Sequence, residues 1–171
     1  MPFTPYHFGP SAFLGLAFRK WLDLPVFVLA NVIVDIEVLF LHRWPFHRYT
    51  HTLLIGAAVG IAWGTLAYLL KPLWNRIMKT IRLPYQTSLL KMIISGMLGA
   101  CFHVIVDSIY HGDIKIFWPA SAKPLFNLIN RTQVKSICIG LLIAAIALYI
   151  SILIRSVKRK KANQNQMEVT K

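Results

Sequence analysis

Acidic side chains are scarce in this chain, which has six Asp and Glu residues against nineteen Lys and Arg residues. Charged residues of both signs make up only 15% of the 171 residues, whereas hydrophobic residues make up 56%. The mean hydropathy is positive. A soluble globular domain carries about 25% charged residues. The shortage of charge therefore excludes an ordinary soluble domain and favours an integral membrane protein.

Cysteine is also rare, and the N-terminus lacks the features of a signal peptide. The two cysteines, Cys101 and Cys138, lie inside apolar runs, so the chain has no disulfide framework. The N-terminal segment has no basic start, and Pro2, Pro5 and Pro10 interrupt it. We therefore expect no cleavable signal peptide. The chain also shows no internal repeat.

The net charge of +13 allows two interpretations. A strongly basic chain is typical of nucleic-acid binding. In a chain this apolar, basic loops on the cytoplasmic side of a membrane are the better explanation. We therefore expect membrane lipids as partners, and no nucleic acid. Composition gives no information about the oligomeric state.

Long apolar runs define the fold class. Residues 52–70 and 136–154 contain no charge and are each long enough to span a bilayer. Residues 25–41 and 89–110 are further apolar segments with a few polar positions. Residues 10–20 are too few to cross a hydrocarbon core of about 30 Å. The sequence predicts an all-α integral membrane protein, a bundle of about four to five membrane helices with the first one short or half-spanning.

Basic segments separate and follow these runs. Residues 71–91 are basic and amphipathic, and they carry Trp74 and Tyr85, which suit a headgroup region. We expect residues 1–154 to form a single helical membrane domain. We expect residues 155–171 to form a basic, disordered cytoplasmic tail.

The distribution of Lys and Arg predicts an orientation. If the basic tail is cytoplasmic, alternation of the helices also places residues 71–91 and the Arg19–Lys20 turn on that side, as the positive-inside rule requires. The same alternation places all six histidines on the outer side, although histidine was not used to choose the orientation. We therefore expect a multi-pass plasma (inner) membrane protein with one site that faces outside.

Histidines and carboxylates with helical spacing predict a metal site on that outer side. His103 and Asp107 are four residues apart and share a helix face. His47 and His51 have the same spacing, and Asp35 lies within an apolar run. Ionisable groups in membrane segments are costly and usually functional. Imidazole and carboxylate together suit Zn, Mn or Fe. A structural hydrogen-bonded pair is the alternative for His103 and Asp107.

Four other polar residues are less certain members of the site. Glu37 is two residues from Asp35, so on a regular helix the two carboxylates point to nearly opposite faces, and Asp35 is the stronger candidate. His42 and His111 lie at helix ends, where histidine is more often an interfacial polar group. Arg48 either pairs with a carboxylate or holds an anionic substrate.

The motifs resemble those of a known family. Residues 1–9 (MPFTPYHFG), 34–37 (VDIE), 47–54 (HRYTHTLL) and 103–119 (HVIVDSIYHGDIKIFWP) are similar to motifs of the membrane-bound metal-dependent hydrolases of the DUF457 group, the YdjM/YbcI-like proteins. That family has an early His, a PDxD on the second helix, an HR element with THS, and an HxxxD followed by Gly and WP. This chain departs from the pattern at three positions, Val34, Glu37 and Thr52.

The resemblance implies a metal-dependent hydrolase. Its divalent ion would be zinc in the first place, with Mn or Fe as alternatives. We expect it to act at the outer membrane–water boundary on a phosphoester or lipid-like substrate, with Glu37 and Arg48 as catalytic residues. The expected metal ligands are His7, Asp35, Glu37, His47, His51, His103 and Asp107. Two alternatives stay open, a non-enzymatic membrane metal-binding or transport protein, and a structural or regulatory protein whose site has decayed.

Overall fold

A computed structural model describes residues 5–40 and 49–169; the side chains of residues 5, 37–40, 160, 161 and 167–169 fall outside that description. These two ranges contain α-helices, turns and loops, and no β-strand. The all-α prediction is thus confirmed. The helices are α1 (Pro5–Ala17), α2 (Leu24–Phe40), α3 (Leu53–Leu69), α4 (Lys71–Thr80), α5 (Leu89–Tyr110) and α6 (Arg131–Val169).

Two of the described helices, α5 and α6, are long and apolar enough to cross a membrane. A third span results if α3 and α4, which meet at a bend of 80°, are counted as one. The sequence-based count of four to five was larger because it included the two N-terminal helices. Of these, α1 has 13 residues and a length of about 20 Å, so it is short as predicted. Helix α2 has 17 residues.

Helix α1 begins earlier than the sequence predicted. In the sequence, Gly9 and Pro10 favour a helix start at that point, but the helix begins at Pro5 and continues through Pro10. Proline suits the first turn of a helix, whereas inside a helix it removes one backbone hydrogen bond. The hydroxyl of Ser11 donates to the carbonyl oxygen of His7 at 2.6 Å and supplies a polar contact in this turn. The early start places His7 on a helix.

Helix α3 matches the predicted apolar run closely, but its N-cap differs. The cap is Thr52, whose hydroxyl accepts a hydrogen bond from the backbone N–H of Ile55 at 3.2 Å. In the sequence, Thr50 is a plausible N-cap for the helix that follows it. The structure shows that this prediction is wrong by two residues. Both threonines satisfy the preference for a short side-chain oxygen at this position, so composition does not choose between them.

The C-terminal segment also differs from its prediction. Residues from Arg155 onward were expected to be disordered, whereas α6 continues through Val169. Lys, Arg and Gln, which favour helices, make up seven of the fifteen residues 155–169, and neither Gly nor Pro interrupts them, so intrinsic helix propensity supports the extension. The division of the chain into a membrane domain and a tail stays a prediction.

Helix α5 lies at the centre of the bundle and contacts α1, α2 and α3. Glycine allows the closest of these contacts, because a Cβ atom on Gly60 of α3 would overlap the carbonyl oxygen of Gly96 on α5, and the reverse also holds. Small residues permit this backbone approach in membrane helix pairs. Buried apolar side chains of α2, α5 and the loop after α5 form one core cluster: Ala30, Val34, Ala100, Val104, Ile114 and Ile116.

Helix α4 is amphipathic, as the sequence predicted. Trp74 and Met78 are buried, whereas Arg76 and Lys79 are exposed. The indole N–H of Trp74 donates to the carbonyl oxygen of Ala67 at 2.8 Å and holds α4 across the end of α3. Helix α3 has 17 residues and is about 25 Å long. Helix α4 therefore lies at the opposite end of the bundle from the residues that precede α3.

A buried carboxylate organises the same end of the bundle. Asp23, at the start of α2, is fully buried. Its carboxylate accepts hydrogen bonds from the hydroxyl of Tyr85 at 2.7 Å, from the hydroxyl of Thr87 and from the backbone N–H of Val26 at 3.3 Å. Its backbone N–H donates to Ser95 Oγ at 2.6 Å. Asp23 thus ties the start of α2 to the α4–α5 connection and to α5.

Candidate metal centre

Four ionisable side chains from separate parts of the chain meet at one end of the bundle. Asp35 comes from α2, His51 from the segment before α3, and His103 and Asp107 from successive turns of α5. Each side chain offers one ligand atom, and these four atoms all lie within 4.8 Å of one another. Helices α2 and α3 both pack closely against α5, because glycine residues at these contacts allow the backbones to approach. This close packing brings the four side chains together.

The histidine Nε2 atoms face the carboxylate oxygens. His103 Nε2 lies 3.1 Å from Asp35 Oδ1 and 3.3 Å from Asp107 Oδ2. His51 Nε2 lies 3.4 Å and 3.6 Å from the same two oxygens. Two nitrogens and two oxygens therefore alternate around one small space.

The cluster is almost closed to solvent. The side chains of His51 and His103 are 0% exposed and that of Asp107 is 4% exposed, whereas that of Asp35 is 18% exposed. Access to the cluster is therefore on the Asp35 side. Two buried carboxylates are costly unless positive charge compensates them. The site needs a cation, either protons on the imidazoles or a metal ion.

The geometry fits a metal ion. Ligand atoms about 2.0 Å from a zinc ion lie about 3.3 Å apart in a tetrahedral site. The four N–O distances of 3.1–3.6 Å are close to this value, and all four ligand atoms lie within 4.8 Å of one another. In the part of the chain described, His103 Nε2 makes no hydrogen bond of acceptable geometry despite these short distances. This buried nitrogen is therefore close to two carboxylate oxygens and available as a ligand atom.

The hydroxyl of Thr50 contacts the ring nitrogen of His51 that faces away from the cluster. This hydroxyl donates to the carbonyl oxygen of Val34 at 3.3 Å and lies 3.2 Å from His51 Nδ1. Because the Thr50 hydroxyl donates its only proton to the Val34 carbonyl oxygen, it can only accept a hydrogen bond from His51 Nδ1–H. A neutral imidazole protonated on Nδ1 has its lone pair on Nε2. That lone pair faces two carboxylates, so the arrangement calls for a cation between them. Such outer contacts orient metal-bound histidines.

His7 contacts the cluster from α1 and is itself buried. Its Nε2 lies 3.0 Å from Asp107 Oδ1, the carboxylate oxygen that the other two histidines do not face. Its ring centroid is 4.5 Å from that of His103. His7 is not one of the four residues whose ligand atoms converge. In this position it fixes the orientation of Asp107.

The structure thus brings together five of the residues that the sequence suggested: His7, Asp35, His51, His103 and Asp107. Of the other candidates, His42, His47 and Arg48 lie outside the described residues. Glu37 belongs to α2, but its side chain falls outside the description. The ligand and catalytic roles of all these residues stay predictions. Sequence reasoning missed the role of Thr50, although its position next to a candidate histidine was a usable signal.

Fold and site together define a helical membrane protein with a buried His–Asp cluster that can hold a metal ion. The chain belongs to the YdjM inner membrane protein family, whose family model matches residues 7–168. This match confirms the YdjM-like part of the resemblance. The family is described as one of inner membrane proteins, and the apolar helices of this chain fit membrane spans. Comparison with curated proteins and with solved structures returned no match.

Proposed function

We propose that this protein is a metal-dependent hydrolase that acts at the outer membrane–water boundary. The observation that supports the proposal is the convergence of Asp35, His51, His103 and Asp107, with ligand atoms within 4.8 Å of one another and one accessible side. A buried group of imidazoles and carboxylates at the end of a bundle is costly to maintain and is typical of a functional site.

In this proposal the four residues hold a divalent ion, with zinc preferred for two imidazoles and two carboxylates, and Mn or Fe as alternatives. The chemistry that such an ion supplies is polarisation of a substrate oxygen and acidification of water. His7 holds one oxygen of Asp107, and Thr50 holds His51 with Nε2 directed at the cluster. These two contacts keep the ligand set in place when substrate enters.

Substrate reaches the cluster from the side of Asp35, the most exposed of the four residues. Glu37 lies two residues further along α2 and would serve as a general base or an additional ligand. Arg48 would bind an anionic group of the substrate. Both roles follow from the sequence, as does the expected participation of His47 as a ligand.

A lipid-like phosphoester suits the surroundings of the site. The loop after α5 packs beside the start of α3, where the backbone N–H of Leu53 donates to the carbonyl oxygen of Ile116 at 3.0 Å. The next residues, Phe117 and Trp118, are 50% and 41% exposed, and Phe126 is 37% exposed. Exposed aromatics at a membrane boundary accommodate amphiphilic molecules. They would hold an apolar chain while the head of the substrate reaches the cluster.

The proposed orientation of the protein in the membrane is based on the distribution of its basic residues. Basic residues concentrate on α4 and on the second half of α6, and these segments would lie on the cytoplasmic side. The cluster, at the other end of α3 and α5, would then face outside. Labelling of single cysteines in whole cells, one introduced at Lys79 and one at Lys123, tests this. Only the cysteine that replaces Lys123 should react with an impermeant reagent.

The proposed activity is tested by hydrolysis. The purified protein, loaded in turn with Zn, Mn and Fe, should hydrolyse at least one member of a panel of phosphoesters and phospholipids. Asp35→Asn should abolish hydrolysis, because it removes a negative ligand on the accessible side. Asp23→Asn is the matched control, since it removes another buried carboxylate at the opposite end of the bundle. It should lower stability and leave the specific activity of the folded protein unchanged.

A second candidate, metal binding without hydrolysis, is favoured by the closure of the site. Four residues each offer one ligand atom, and sites in which four protein ligands leave no open coordination position are typical of structural zinc. If this second function is correct, the protein should bind metal through the cluster and hydrolyse no substrate in the panel. Substitution of Glu37 should then reduce neither stability nor any metal transport. Metal uptake into proteoliposomes would identify a transporter.

A further inference from the structure

A cavity lies at the end of the bundle opposite the metal cluster. It has a volume of about 540 Å³ and is bounded by α4, by the α4–α5 connection and by the middle of α6. Lys79 and Arg82 supply positive charge, and Asn75, Tyr85 and Ser156 supply neutral polar groups. Among the described residues that line this cavity, none is acidic. The cavity therefore favours an anionic group.

The backbone presents Arg82 in an unusual way. Arg82 has a φ of 56°, the left-handed conformation that favours glycine. It follows the end of α4 in a Schellman motif, in which the N–H of Arg82 donates to Lys79 O and the N–H of Leu83 donates to Met78 O, both at 3.0 Å. Glycine is the usual residue at this position because any Cβ is unfavourable there. Arginine at such a site is costly to the fold, which indicates a use for its side chain.

An apolar groove adjoins this basic cavity. It has a volume of about 480 Å³ and lies against the neighbouring face of α4, with Trp74, Ile77 and Ile81 on one wall. Residues of α1, α2 and α6 complete it, and Leu83 lines both the groove and the cavity. The apolar groove and the basic cavity thus lie on adjacent faces of α4.

We propose that this combined site binds an anionic phospholipid, with its phosphate between Lys79 and Arg82 and one acyl chain in the apolar groove. Charge complementarity selects the headgroup, because Lys and Arg form charge-assisted hydrogen bonds with phosphate. The 80° bend after α3 directs α4 away from the axis of that helix, as expected for an amphipathic helix in a membrane interface. An acidic protein or a free phosphate would use the cavity alone and leave the groove empty.

The test is lipid-dependent thermal stability of the full chain in mild detergent. Phosphatidylglycerol should raise the unfolding temperature in a saturable way, since a ligand of the folded state stabilises it. Phosphatidylcholine and inorganic phosphate at equal concentration should have little effect. Lys79→Gln and Arg82→Gly should each weaken the apparent affinity for phosphatidylglycerol by about tenfold, the worth of one charge-assisted hydrogen bond.

Two controls separate the proposed site from general effects. Arg76→Gln removes a charge from the same helix at a residue that lines neither space, so it should change the affinity much less. Arg82→Gly should raise the unfolding temperature without lipid, because glycine removes the backbone cost, while still losing the lipid response. An equal loss in Arg76→Gln, an equal response to phosphatidylcholine, or an equal response to inorganic phosphate would each overturn the proposal.

Discussion

His103 and Asp107 lie one turn apart on α5, with His103 Nε2 3.3 Å from Asp107 Oδ2, and each also contacts a residue from another segment. Asp35 lies 3.1 Å from His103, and His7 lies 3.0 Å from Asp107. This pair is therefore the connection through which α1, α2 and α5 share one polar centre. Changes to its neighbours should have graded effects on metal binding.

His7→Ala should weaken metal binding without abolishing it. His7 orients Asp107 through the oxygen that faces away from the other histidines, and loss of such a contact typically costs about 10- to 100-fold in metal affinity. His103→Ala should lose binding altogether. The measurement is competition for zinc against a chromophoric chelator in detergent. Equal and complete loss in both variants would make His7 a direct ligand.

Thr50→Val should act in the same graded way. It preserves the shape of the side chain while it removes the hydroxyl that lies 3.2 Å from His51 Nδ1. We expect about 10-fold weaker zinc binding, because His51 then loses the contact that fixes its tautomer and ring orientation. Thr65→Val is the control, since the hydroxyl of Thr65 donates to Ile61 O on an exposed part of α3. Unchanged zinc affinity in Thr50→Val would contradict the role of this hydroxyl.

Gly60→Ala should destabilise the bundle. The added Cβ would overlap the backbone of Gly96, so α3 and α5 must move apart, at a cost of about 2 kcal/mol. Gly140→Ala offers a matched control, because nothing lies within 4 Å of a Cβ at that position on α6. It should stabilise by up to about 1 kcal/mol through helix propensity. Thermal unfolding in detergent measures both, and equal unfolding temperatures would refute the close contact.

Tyr85→Phe should lower the free energy of unfolding by about 1.5 kcal/mol, because the Asp23 carboxylate, at the end of the bundle opposite the metal cluster, loses one hydrogen bond. Burial, together with the hydrogen bond to Asp23 and its negative charge, raises the pKa of Tyr85 above its usual value. A raised pKa in the folded protein means that the stabilising contribution is complete below the unfolded value of about 10 and is lost as the pH rises through the folded value.

The parent should therefore lose stability above about pH 10, and its advantage over Tyr85→Phe should shrink there. Tyr68→Phe, which keeps the ring beneath the Lys71 ammonium group, is the control. Unfolding temperatures of the parent and both variants, measured from pH 7 to pH 11, test this pH dependence. An advantage of the parent that grows with pH would show that the sign of the argument is wrong.

Much of the site could be predicted from local spacing. The four-residue separation of His103 and Asp107 fixes a shared helix face wherever the helix lies. Helical alternation then predicts that His7, Asp35 and His51 lie on the same side of the membrane, and the structure brings them together at one end of the bundle. Which ring nitrogen faces which oxygen depends on the crossing of α3 and α5, and therefore on contacts such as Gly60 with Gly96 that no single segment reveals.

The missed features share this dependence on distant contacts. Asp23, Tyr85 and Thr87 form a buried polar group although 62 and 64 residues separate the partners, and short polar stretches carry no periodic signal that would pair them. The incorrect prediction of Thr50 instead of Thr52 as the N-cap of α3 has a similar cause. Thr50 contacts His51 and Val34 across the site, whereas the cap preference alone treats the two threonines as equivalent.

The central claim is that the His–Asp cluster holds a metal ion, and elemental mass spectrometry of the purified protein tests it most directly. The parent should carry stoichiometric divalent metal, the His103→Ala, Asp107→Ala double variant should carry none, and Asp23→Asn should match the parent. Absence of metal from the parent after reloading with Zn, Mn and Fe, or full retention in the double variant, would contradict the account.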